Sequence, residues 1–233
     1  MLNDATVPES PRPMVVSWSG GKDSTLMLEA LRADPRVHVV SLLTTVTAGY
    51  DRISIHGVRR AILDAQADAL RLPLEVAEIP MQASNASYES AFAGALERLR
   101  ERWPGVSTIA FGDLFLHEVR DYRDALLARL GWTGAYPIWG QDTRELATTF
   151  IARGHRAILT CVDTTQLDAT FAGRAYDEEL LRDLPASVDP CGENGEFHSC
   201  LVGGPLLGPS IPVTRGERVL RDGRFQYCDL VPE

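Results

Sequence analysis

Met14-Val15-Val16-Ser17-Trp18-Ser19-Gly20-Gly21-Lys22-Asp23-Ser24-Thr25-Leu26-Met27-Leu28 is the stretch that decides the fold. Its first five residues are a short apolar run, which reads as a buried strand. The Ser-Gly-Gly that follows marks a tight turn. From Ser24 to Ala33 apolar residues recur at helical spacing (Met27, Leu28, Leu31), and Asp23 or Ser24 stands where a cap belongs. A strand, a glycine pair and a helix N-terminus together make an anion site. Gly20 and Gly21 let the backbone turn with no Cβ between its amides and a ligand. The first helical turn adds unsatisfied N–H groups and a partial positive charge. Ser19 and Ser24 contribute hydroxyls, and Lys22 contributes a point charge. A carboxylate beside phosphate is repulsive, so Asp23 is expected to hold a divalent cation there or to fix the loop.

Lys22 stands out for a second reason. It is the only lysine among 23 basic residues, so the other 22 are arginine. An arginine fork does not substitute for a compact ammonium at a tight phosphate site. A compositional bias that spared this one position marks the loop as a site rather than a plain glycine turn.

Outward from the loop, strands and helices alternate. Val37 to Thr45 and Leu74 to Ile79 read as strands, as does Val106 to Phe111, which Gly112-Asp113 ends. Val58 to Leu70, with Val58, Ile62, Ala65 and Ala69 on one face, reads as a helix, as do Tyr88 to Arg102 and Leu116 to Leu130. This spacing predicts βαβ units and a Rossmann-like α/β fold, its parallel sheet covered on both faces. The cluster Gly131-Trp132-Thr133-Gly134 marks the expected boundary. The expected division is a flexible tail at 1–13, a nucleotide-type domain at 14–131 and a smaller α/β portion at 132–233. That last portion ends in a β-hairpin, Val219 to Tyr227, with Asp222-Gly223 at its turn.

Composition narrows the function. Acidic residues outnumber basic ones, 32 to 23, for a formal charge of −9, which argues against a broad nucleic-acid face. No apolar run reaches bilayer length. The polar, proline-rich start lacks an apolar signal core, so no membrane partner and a cytoplasmic location are expected. Cys161, Cys191, Cys200 and Cys228 show no C-x-x-C spacing, and reduced thiols follow. A homodimer is admitted by the sequence.

Further candidates lie at strand ends and in loops. Gly112 and Asp113 close the fourth strand, where open α/β sheets bind ligands; Asp113 faces two readings, metal or pyrophosphate partner opposite Asp23, or helix cap. Tyr122 and Arg123 lie on the helix that follows. His56 sits in the loop after the second strand. Cys191 to Ser199 packs Glu193, Glu196 and His198 between glycines, a loop dense in acid/base groups. Glu193 and Glu196 suit binding ammonium and accepting its proton, with His198 as a relay.

The loop Ser19 to Ser24 is neither G-x-x-x-x-G-K-[ST] nor G-x-G-x-x-G. It resembles the PP-loop of the adenine nucleotide α-hydrolase (ATP pyrophosphatase) superfamily. That resemblance implies ATP and Mg²⁺ as ligands, with Asp23 and Asp113 as metal residues and Ser19 to Ser24, His56, Gly112, Asp113, Tyr122 and Arg123 around the nucleotide. It also implies cleavage of ATP between its α and β phosphates and adenylation of an acceptor. A narrower likeness rests on Ile53-Ser54-Ile55-His56-Gly57-Val58, Gly112-Asp113 with Glu118 to Arg123, Pro137-Ile138-Trp139, Asp189 to Ser199 and Gly204-Pro205. These segments resemble the diphthine–ammonia ligase family. They imply adenylation of a carboxyl or amide acceptor and its amidation, the acceptor being a diphthine-like protein side chain or a small molecule, with ammonia as nitrogen source and Lys22, Asp23, Glu193, Glu196 and His198 as the reacting set. The family's Glu-Gly-Gly-Glu-aromatic-Glu-Thr here reads Glu193-Asn194-Gly195-Glu196-Phe197-His198-Ser199, which implies a sister branch. Two rivals remain on the sequence: a tRNA-modifying thiolase on the same loop, and a sensor that binds ATP without turning it over.

Overall fold

The computed structural model describes residues 10–50, 52–53, 56–208 and 210–233. Five strands form a parallel sheet: β1 (Arg12–Ser17), β2 (Val37–Thr47), β3 (Leu74–Ile79), β4 (Thr108–Ala110) and β5 (Thr133–Ala135). Their order is β3-β2-β1-β4-β5, so the direction of winding reverses between β1 and β4. The connecting helices are α1 (Lys22–Ala33), α2 (Arg60–Leu70), α3 (Asn85–Arg102) and α4 (His117–Arg129).

β1 shows why the sheet is covered twice. Successive strand residues point to opposite faces, and Val15 and Val16 are both fully buried. Val16 packs in the cluster with Leu28, Ile62 and Leu63 of α1 and α2. Val15 packs in the other, with Phe92, Leu96 and Leu99 of α3 and Leu126 of α4. The predicted Rossmann-like fold is therefore present.

The chain continues through α5 (Thr143–Ala152), β6 (Arg156–Asp163), α6 (Glu178–Asp183), β7 (Phe197–Gly203), β8 (Val213–Arg221) and β9 (Phe225–Pro232). The four strands form a second sheet, antiparallel, in the order β7-β6-β9-β8. The expected hairpin is β8–β9, and Asp222 and Gly223 turn it with φ of 54° and 62°. Phe150, Leu159, Val162, Phe197 and Leu201 join the cluster that holds Leu26, Leu28 and Leu63, so the second sheet closes over α1. The glycine cluster at 131–134 does not end the first sheet, because β5 pairs with β4 across it. Among the described residues no helix is long and apolar enough to cross a membrane.

Candidate active site

A cleft of about 210 Å³ opens where the winding of the parallel sheet reverses. Such points are where open α/β sheets hold ligands, because neighbouring loops diverge there. The ends of β1 and β4 supply Ser19, Gly21 to Ser24 and Gly112-Asp113, while Gly20 does not line the cleft. The loop before β7, and β7 itself, supply Cys191, Glu193, Phe197, His198 and Ser199.

The turn after β1 is built as its glycines predict. Gly20 has φ of +74°, a conformation that side chains resist. A Cβ on Gly21 would lie 2.7 Å from the carbonyl oxygen of Ser199, so β7 approaches the bare backbone. Helix α1 starts at Lys22 with Gly21 at its cap and no side-chain cap bond, so neither Asp23 nor Ser24 caps it. Ser24 Oγ instead donates to the Gly21 carbonyl at 2.9 Å, and Lys22 N–H donates to Ser199 Oγ at 3.3 Å.

Lys22 is buried, and its ammonium donates to both Asp23 oxygens at 2.8 Å. The ammonium also lies 5.5 Å and 5.9 Å from the ring centres of Phe197 and Tyr176. Burial pulls the pKa of this amine down, but Asp23, together with Cys191 and Glu193, outweighs it and holds the ammonium above its ordinary value. Asp113 accepts from Arg123 Nη1 at 2.8 Å. Burial raises the Asp113 carboxyl, Arg123 opposes that, and Asp23 adds to it. Asp113 does not cap α4, which starts four residues later at His117. Gly112, after β4, lies against the start of α1: a Cβ there would lie 3.0 Å from the Asp23 carbonyl carbon. Two carboxylates and two cations thus face one another across the cleft.

The acidic loop divides its carboxylates. Glu193 lines the cleft and accepts from the Leu114 amide at 2.7 Å. Burial pushes its pKa up to about 7, with Asp23 and Asp113 adding repulsion. Glu196 is buried and does not line the cleft. It accepts from the amides of Asp189 and Asn194, each at 2.9 Å, and from Asn194 Nδ2 at 3.0 Å. Its carboxylate is occupied in shaping the loop. Cys191 Sγ donates to the Thr143 carbonyl at 3.2 Å, and burial pushes the thiol up to about 12, so it stays protonated at neutral pH.

His198 lines the cleft, and its ring centre lies 4.4 Å from that of His56. Burial, reinforced by Lys22, lowers His198 to about 4. Burial and then His198 and Lys22 hold His56 well below its ordinary range, so both imidazoles are neutral at pH 7. His56 Nδ1 is buried without a partner among the described residues. Ser54 and Ile55, from the segment quoted with His56, lie outside the described residues. Tyr122 is placed apart: it is exposed, donates to Glu89 at 3.2 Å and does not line this cleft.

Sequence reasoning missed two residues. Ser199 gave no signal, since its link to Lys22 spans 177 positions. Gln66 did give one. It is a polar residue four positions after Ile62, on the face of α2 that is buried. The face read from the sequence had instead followed Ala65 and Ala69, which are only partly buried.

Residues 13–133 match the family described as the diphthamide synthase N-terminal domain, and residues 142–230 match the diphthamide synthase C-terminal domain. The chain is also 25% identical, over 236 residues, to a protein of Schizosaccharomyces pombe named diphthine–ammonia ligase. That alignment covers 91% of this chain and 38% of the relative, so the chain spans well under half of that protein's length.

Proposed function

The chain belongs to the diphthamide synthase family, and from that premise we propose that it is an ATP-dependent ligase. It adenylates a carboxylate acceptor and then amidates it with ammonia. The observation that carries this reading is the meeting, in one cleft, of the glycine loop with its lone lysine and a carboxyl group of pKa about 7 from the far end of the chain.

The loop amides and Lys22 take the phosphates, as helix N-termini and compact ammonium groups do. A second cavity of about 340 Å³ shares Ser17, Ser19 and His56 with the cleft and is walled by Ile79, Tyr88, Phe92 and Phe111. Its flat apolar walls suit the adenine ring. Magnesium accepts one or two carboxylates together with phosphate oxygens and water, a donor set that Asp23 and Asp113 fit. Among the described residues no cluster of three or more His, Cys, Asp or Glu is grouped to hold a metal, so Asp23 and Asp113 would hold it only together with phosphate oxygens. When bound, it neutralises phosphate charge. Lys22 and Arg123, each now paired with one of those carboxylates, turn toward the phosphates.

The acceptor oxygen attacks the α-phosphorus, the bond to the bridging oxygen breaks, and pyrophosphate leaves. The nitrogen of ammonia then attacks the acyl carbon, the C–O bond breaks, and AMP departs with release of one proton. Glu193, near half ionised at neutral pH, receives that proton. Glu196 holds the loop that aims Glu193. The acceptor is a diphthine-like protein side chain or a small carboxylate.

The test supplies the protein with ATP labelled at the α-phosphate, ammonium and a protein carrying diphthine. The expected products are AMP and pyrophosphate in equal amounts with the new amide. ADP and phosphate as products would overturn the reading. AMP that forms only with a different carboxylate would keep the chemistry and replace the acceptor.

A further inference from the structure

We propose that Gln66 is a positioning residue, setting the spacing between the phosphate loop and β7 so that binding at the loop is transmitted to His198 and Ser199. The proposal rests on the nucleotide reading above.

Gln66 is wholly buried, at a point where α2, the end of β1 and β7 converge. Its Oε1 accepts from the Trp18 indole at 2.8 Å. Its Nε2 donates to the Gly20 carbonyl at 3.1 Å and to the Leu201 carbonyl at 2.7 Å. A side-chain amide supplies one acceptor and two donors in a rigid plane, and all of these are used here. The Gly20 carbonyl also accepts from the Leu201 amide at 2.7 Å, so the turn is tied to β7 twice at the same point.

The geometry leaves little slack. A Cβ on Gly20 would lie 2.6 Å from Gln66 Oε1, so the turn rests directly on this side chain. Two residues before Leu201, Ser199 accepts from the Lys22 amide, and the residue before that is His198. A shift of the loop around a phosphate therefore moves β7 at Leu201 and at Ser199 together. Hydrogen-bond networks buried in a low dielectric behave as units in this way. An apolar residue at position 66 would fill the space but leave the Leu201 carbonyl without this donor.

The test uses the full chain and two variants. Gln66→Met conserves volume and removes every bond, while Gln66→Glu keeps the acceptor for Trp18 and loses both donors. Mg-ATP affinity is titrated well below the melting temperature, and the Trp18 indole and His198 ring resonances are followed by NMR. In the unsubstituted chain, Mg-ATP should shift both signals. In Gln66→Met the affinity should fall about tenfold, the loss of roughly one net hydrogen bond, and the His198 response should disappear. Gln66→Glu should retain a hydrogen-bonded Trp18 signal but lose the His198 response. A folded Gln66→Met chain that binds Mg-ATP like the unsubstituted chain and still shifts His198 would overturn this inference alone. An unsubstituted chain that binds no Mg-ATP would overturn the functional reading, and this one with it.

Discussion

The loop from Ser19 to Ser24 and the loop from Asp189 to Ser199 look alike on paper. Both are short, polar and broken by glycine, and both border the same cleft. Their chemistry is organised in opposite ways. The first presents backbone amides, and its value lies in position: strand end, turn and helix start. The second is dense in ionisable side chains, and two of its three carboxylates bind the loop to itself. Asp189 accepts from the amides of Cys191 and Glu193 and from the Thr143 hydroxyl, and Glu196 accepts from Asp189 and Asn194. Of its carboxylates, Glu193 alone lines the cleft, beside Cys191 and His198. Density of charged residues in a loop thus marks a site poorly, because a loop without regular structure must satisfy its own buried amides first.

The largest effect should come from the first loop. Mg-ATP at about a hundred times its dissociation constant stabilises by roughly 2.7 kcal/mol, a melting shift of about 5–10 °C for a chain of this size. Lys22→Ala should abolish that shift, measured by calorimetry, together with AMP formation. A variant that kept the full shift would remove the distinction between the loops.

Next comes Glu196→Ala. It removes the acceptor of three part-buried donors, and a loss of about 1–2 kcal/mol is expected, or roughly 2–8 °C in melting temperature. The Mg-ATP shift of the folded variant should persist. Unchanged melting with lost turnover would instead place Glu196 among the reacting groups.

The last effect is a pH dependence. The Glu193 carboxyl, at about 7 when folded against 4.5 unfolded, holds its proton longer in the native state. Its contribution to stability is therefore complete below pH 4.5 and lost as pH rises through 7. Glu193→Gln carries no such proton, so its melting temperature should gain on the unsubstituted chain between pH 5 and 8. Parallel curves would mean that Glu193 is not held in its protonated form by the fold.

Much of this was legible without coordinates. Buried parallel strands announce themselves as continuous apolar runs, as in Val15-Val16. The hairpin turn at Asp222-Gly223 and the glycine turn at Gly20 follow from backbone conformations open chiefly to such residues. Other features were not legible, each for a physical reason. Glu196 and Glu193 are the same residue three positions apart, and only burial and hydrogen bonding separate a brace from a free acid. Tyr122 and Arg123 are adjacent, yet helical geometry turns one to Glu89 and solvent and the other to Asp113. Cys191 lines the cleft as a reduced thiol, but burial keeps it protonated.

The sequence by itself determined the parallel sheet, the glycine turn after its first strand and the lysine that starts the next helix, because these depend on local periodicity and on residues with special backbone freedom. Only the tertiary structure decided that β7 would close against that loop, that Gln66 would join them, and that two neutral imidazoles would stand beside Lys22. Those outcomes depend on which distant segments share a low-dielectric interior, and there burial, rather than residue type, sets charge and partner.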